Sequence, residues 1–164
     1  MMEAPRYRQA MRLLVEAQVK MVVIGGVAMI VRAAGTTTVD VDICYEQSRT
    51  NIEHLCQVLA PHCAIIRSAF LDIVEVLLAN QSSQGFLTDF GQIDLLSNVS
   101  GLGEYAEVMR FATQEAVDDF AAYVLTLEGL IKAKESANRL KDQQHLVTLR
   151  ALKEMEDEEN NADN

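Results

Sequence analysis

The sequence predicts an α/β (α+β) fold: a mixed β-sheet flanked by helices and finished by a C-terminal helical pair. Three observations carry that expectation. Met21-Val22-Val23-Ile24 is a wholly apolar run that stops at Gly25-Gly26, as a strand buried on both faces does. Val39 to Cys44 alternates, with Val39, Val41 and Ile43 on one side and Asp40, Asp42 and Cys44 on the other. Phe86–Thr88 and Gln92–Leu96 flank Asp89-Phe90-Gly91, a hairpin signal that adds antiparallel pairing. Helical patterns lie between these segments, so the sheet is expected to be mixed.

The remaining elements follow in order. Tyr7, Met11, Leu14 and Val15 repeat at helical spacing and predict a helix over 6–18. Residues 27–34 predict a small-residue helix with Gly35 just past its end. Thr50-Asn51-Ile52-Glu53 has capping-box spacing and opens a helix with core stripe Ile52, Leu55, Cys56 and Leu59, closed by Pro61. Residues 63–66 fit a short strand. Residues 71–79 fit either state, with helix preferred. A two-glycine loop (97–103), a short helix (104–109) and a strand (121–125) precede Thr126, which caps a helix to about Asn138. Lys141 to Met155 makes the last helix, so the helical pair covers about residues 126–153.

A chain of 164 residues can bury one ordinary core without disulfides or structural metal. One domain is expected over residues 1–153. Residues 154–164 hold six acids and no Lys or Arg, and read as a solvated, disordered tail. That tail carries most of the net charge of −10, leaving −4 on the body. An acidic body argues against broad nucleic-acid binding, whereas Lys132, Lys134, Arg139 and Lys141 cluster closely enough to serve an anionic ligand. No apolar run approaches twenty residues, so no membrane span is expected. Met1 to Arg12 lacks the apolar block of a signal peptide. Three cysteines without paired spacing imply reduced thiols and a cytoplasmic setting. His54, Cys56, His62 and Cys63 make a poor zinc set, because His54 and Cys56 point to different helix faces and Cys56 lies in the core stripe. The sequence does not give the oligomeric state.

The chemistry concentrates between Ile24 and Ile43. Gly25 and Gly26 let a ligand approach the backbone where a helix starts. Asp40 and Asp42, on one strand face, have α-carbons roughly 7 Å apart. Their charges repel by about 2–3 kcal/mol at an effective dielectric near 20. A divalent cation removes that objection, since carboxylates are the usual magnesium ligands alongside substrate phosphates. Asp94, among the aliphatics of Gln92-Ile93-Asp94-Leu95-Leu96, would join them if its strand lies alongside.

Gly25-Gly26, then thirteen residues, then Asp40-Val41-Asp42, with Asp94 on a later strand, resembles the nucleotidyltransferase fold of the polymerase-beta superfamily. The closer resemblance is to bacterial AbiEii-like and related minimal families. Thr88 to Leu96 is similar to their second acidic segment. Leu127 to Lys134 with Arg139-Leu140-Lys141-Asp142 is similar to their C-terminal signature. The resemblance implies that Asp40, Asp42 and Asp94 are catalytic and hold Mg2+ (or Mn2+). It implies that Gly25, Gly26, Thr38, Lys134 and Lys141 bind a nucleoside triphosphate. The acceptor implied is a hydroxyl of an RNA end, a protein or a small molecule, and the AbiEii-like resemblance extends to a toxin–antitoxin setting. Asp142 is expected to cap its helix or pair with a base. These families often carry an Arg where this chain has Thr36. That departure keeps an alternative open: a silent member of the fold that binds a partner without turnover. A dinucleotide-binding fold is disfavoured, because Gly25 to Ile30 lacks the G-x-G-x-x-G spacing.

Overall fold

The computed structural model describes residues 6–163. The first five residues of the Met1–Arg12 segment, and Asn164 of the acidic tail, lie outside the described residues. Helix α1 (Tyr7–Glu16) buries Tyr7, Met11 and Leu14 of the expected stripe together with Ala10, while Val15 is half-buried. Strand β1 (Met21–Ile24) is buried at all four positions and passes directly into helix α2 (Gly25–Val31). Strand β2 (Val41–Tyr45) is followed by helices α3 (Arg49–Leu59), α4 (Ala64–Ser68) and α5 (Phe70–Ala79). The predicted hairpin is β3 (Ser83–Thr88) with β4 (Gly91–Leu96). A two-stranded ribbon, β5 (Asn98–Val99) and β6 (Gly103–Glu104), then leads to helix α6 (Tyr105–Met109). A second hairpin, β7 (Ala112–Val117) and β8 (Phe120–Leu125), precedes helices α7 (Leu127–Ala137) and α8 (Leu140–Ala162).

The large sheet runs β3-β4-β2-β1-β8-β7. It is mixed: β1 is antiparallel to β2 but parallel to β8, and β2 is parallel to β4. The central strands β1 and β2 have a strand on either side, and all their residues are buried except Asp42. Val22, Val23, Ile43, Cys44, Leu95 and Val124 are fully buried. The three cysteines are buried as free thiols, and burial pushes Cys44 up to about 12. Among the described residues, no helix is long and apolar enough to cross a membrane.

Several local expectations are corrected. Residues 64–68 form helix α4, not a strand; Ile66 is buried while Ile65 faces solvent, so only one side of this single turn packs. Helix α3 is capped by Ser48, whose hydroxyl accepts from the Asn51 N–H at 3.3 Å, two residues before the expected Thr50. Ala33 takes the positive φ immediately past α2, at 61°, and Gly35 takes a second one two residues on, at 65°. Helix α8 continues to Ala162, so the acidic segment is solvent-exposed as expected but helical where disorder was expected. Strand β2 begins at Val41 and not Val39, which is 81% exposed. The ladder with β1 ends at the pair Ile24–Asp42, because the chain turns into α2 at Gly25. Asp40 thus sits on a bend before the strand.

Candidate functional site

Parallel pairing of β2 with β4 sets Asp42 directly opposite Asp94. The same row continues across the hairpin to Gly85, and on the other side to Ile24, the last residue before the Gly25 turn. Residues of one row share a sheet face, so the two carboxylates point the same way and meet. Burial first, then the charges of Asp94 and Asp40 and a hydrogen bond with Asp94, push the Asp42 carboxyl up to about 6. The charge of Lys141 pulls the other way. Gln92 Nε2 donates to Asp94 Oδ1 at 2.8 Å and fixes that side chain.

The glycines make room for these acids. A Cβ on Gly25, whose φ is +63°, would fall inside the Asp42 carboxylate. A Cβ on Gly26 would stand 2.9 Å from Thr38 Cβ, and one on Gly85 would stand 2.7 Å from Asp94 Oδ1. The space expected for a ligand at the Gly25-Gly26 turn is therefore occupied in part by Asp42 and Thr38. Thr38 Oγ1 also holds the Asp40 bend, donating to the Asp40 carbonyl at 3.2 Å and accepting from its N–H at 3.3 Å. Helix α2 spans only two turns, so its dipole is a weak anchor for phosphate.

These residues form one wall of a cleft of about 670 Å3. All eight sequence-predicted site residues line it: Gly25, Gly26, Thr38, Asp40, Asp42, Asp94, Lys134 and Lys141. Thr36 lines it too, as an uncharged side chain. The α7–α8 wall adds Arg139, one of the four clustered bases, and His145, which sequence reasoning did not select. A signal for His145 existed: it follows Lys141 by four residues, so both lie on one helix face. Gln92 and Gly85 were missed because their role depends on the β3–β4 register.

The helical wall is organised around Asp142, which is fully buried. Lys134 Nζ lies 3.2 Å from its Oδ1 and Arg139 Nε 2.9 Å from its Oδ2, and the Arg139 N–H donates to it at 3.1 Å. Burial works against this charge, yet the bonds from Arg139 and Lys134 hold its carboxyl below the usual range. Asp142 thus closes the capping box of α8 and pairs with bases, as the sequence implied. His145 Nδ1 is buried without a hydrogen-bond partner among the described residues. Its pKa is lowered by burial first, then by Lys134, Lys141 and Arg139 against Asp142, so the ring is neutral near pH 7.

Among the described residues, no three His, Cys, Asp or Glu side chains converge closely enough to enclose a metal as they lie. The convergent unit is the Asp42–Asp94 pair, with Asp40 set apart on its bend. That pair fits magnesium or manganese, which take one or two carboxylates and complete their shell with water and phosphate oxygens. The raised pKa of Asp42 is the same statement in energetic form: the pair lacks a positive charge.

No family model matches the sequence, and no curated protein matches it by sequence. Among solved structures, the chain is similar to TM1012 from Thermotoga maritima, described as a "putative nucleotidyltransferase". The two superpose with a TM-score of 0.59 over 88% of this chain and 92% of the other, at 11% identity. The six-stranded mixed sheet with its flanking helices and C-terminal helical pair is a nucleotidyltransferase-like fold.

Proposed function

We propose that the chain is a metal-dependent nucleotidyltransferase that moves a nucleoside monophosphate from a nucleoside triphosphate to a hydroxyl acceptor on RNA, protein or a small molecule. The observation that carries this reading is the half-buried Asp42–Asp94 pair, short of positive charge, in one cleft with the cations of α7 and α8. Asp42 and Asp94, with Asp40 nearby, would hold magnesium or manganese. When bound, the metal supplies charge against the phosphates and polarises the reacting phosphoryl group. Lys141, Arg139 and Lys134 draw the triphosphate toward the helical wall and fix it there. Gln92 keeps one oxygen of Asp94 engaged and leaves the other toward the reacting centre. Asp94 is then the group placed to accept the proton of the acceptor hydroxyl. The hydroxyl oxygen bonds to the α-phosphorus, the bond to the bridging oxygen breaks, and pyrophosphate leaves.

Transfer of label from an alpha-labelled nucleoside triphosphate into RNA or protein tests the reading. Asp42→Asn and Asp94→Asn are each expected to lower the rate by about 10²–10³ while the circular dichroism spectrum stays native. Wild-type transfer in either variant removes that residue from the chemistry.

A second reading, a silent member of the fold that binds a partner, is favoured by Thr36 and by the commitment of Lys134 and Arg139 to Asp142. It is distinguished by nucleotide binding, or none, without transfer in the wild type. The resemblance to AbiEii-like families supports a toxin–antitoxin role for either version.

A further inference from the structure

We propose that helix α8 pairs antiparallel with α8 of a second copy of this chain, through a seam of Leu140, Val147, Ala151 and Met155. At ~100° per residue these four fall within about 80° of one another on the helix surface. Leu140, Val147 and Met155 are 90%, 70% and 58% exposed. Leu146 and Leu149, on the opposite side, are buried against the body. The seam is thus a second face that the fold does not cover, apolar between Val147 and Met155 and interrupted by Gln144 nearer the helix start.

The far half of the helix outruns its own support. Every residue from Glu154 to Ala162 is exposed, about 13 Å of helix beyond the last partly buried side chain, Lys153. Glu154–Glu158 are like charges at i,i+4, and Glu154–Asp157 and Glu156–Glu159 at i,i+3, pairs that weaken an isolated helix. The ion pairs of Lys153 with Glu156 and Asp157 oppose that weakening locally. A neighbouring helix of suitable charge supplies what is missing.

The charge pattern selects the partner and its direction. From Arg139 to Arg150 the helix carries three Arg or Lys and one acid. From Ala151 to Asp163 it carries one Lys and six acids. Parallel pairing would lay acidic half on acidic half and align the two helix dipoles; antiparallel pairing opposes both. With Leu140 facing Met155 of the second copy, Val147 meets the second copy's Val147 and Thr148, and Lys141 faces the second copy's Glu154. Since Lys141 lines the cleft, the acidic end of one copy's helix reaches the cleft rim of the other. The pairing itself does not depend on what the cleft catalyses.

Disulfide trapping of the full chain tests the geometry. Leu140→Cys and Met155→Cys chains are mixed under mild oxidation, the native cysteines being buried. The mixture should cross-link at least ~10-fold faster than either variant alone, because like positions stand about 20 Å apart in the antiparallel pair. Adding Val147→Glu, an exposed position that leaves the fold intact, should suppress the cross-link. Light scattering should show a concentration-dependent dimer that weakens with salt. Equal self-cross-linking of Leu140→Cys means parallel pairing and overturns the proposal. A chain that stays monomeric at ~100 μM and forms no mixed cross-link overturns it as well.

Discussion

Asp42 and Asp142 are two acids drawn out of water beside the same cleft, and the fold treats them oppositely. Asp142 receives a lysine, an arginine and a backbone N–H, and its carboxyl titrates below the usual range. Asp42 receives burial and two neighbouring acids, and is pushed up to about 6. A buried charge that is fully partnered holds structure together. One left short of a counter-charge is a place where a ligand supplies it. The contrast separates residues that build the cleft from residues that work in it.

The largest expected effect breaks the structural member of the comparison. Asp142→Ala leaves Lys134 partly buried without its counter-ion and opens the α8 cap. The expected loss is about 3 kcal/mol, at the low end for a broken buried pair because Arg139 faces solvent. A domain of this size then melts roughly 6–12 °C lower. A melting point within ~2 °C of wild type would show that the pair is not what holds α7 to α8.

Asp42→Asn should move stability the other way. The metal-free wild type binds more protons folded than unfolded between the ordinary carboxylate value of 3.8 and about 6. It therefore loses stability as pH rises through that window, and the loss is complete above it. The full cost is no more than ~3 kcal/mol. The variant, which cannot ionise there, should melt progressively higher than wild type from pH 4 to 7, by about 4–8 °C at the top. A difference that does not grow with pH would mean Asp42 is not short of charge.

These properties were unevenly legible in the sequence. The strand ending at Gly25-Gly26, Asp42 on its strand and the Asp94 hairpin are local patterns that the structure matches, whereas Asp40, expected on the same strand face as Asp42, lies on the bend before it. Strand β7 is not legible, because Thr113, Gln114, Glu115 and Ala116 lie on an edge strand of which half the residues are exposed and which carries little apolar alternation. The acidic segment was read as a tail because composition records its charge and not its continuity with α8. The glycines were assigned to a ligand, whereas Gly25 and Gly26 first accommodate Asp42 and Thr38, a contact set by how β2 folds over the turn. His145 was passed over because its isolation from partners is a property of packing.

His145 offers the smallest expected effect. His145→Ala should weaken nucleotide binding about fivefold, the equivalent of one hydrogen bond, and change melting by less than ~2 °C. Unchanged affinity would assign the unpartnered Nδ1 to packing alone.

The most direct test of the central claim is the melting temperature at pH 8, with magnesium and a nucleoside triphosphate added singly and together. A ligand at about a hundred times its dissociation constant stabilises the folded state by ~2.7 kcal/mol. Wild type should therefore rise by about 5–10 °C with both present, less with magnesium alone, and Asp42→Asn should lose most of either rise. No shift with any nucleotide plus magnesium or manganese, or an equal shift in Asp42→Asn, would contradict the account.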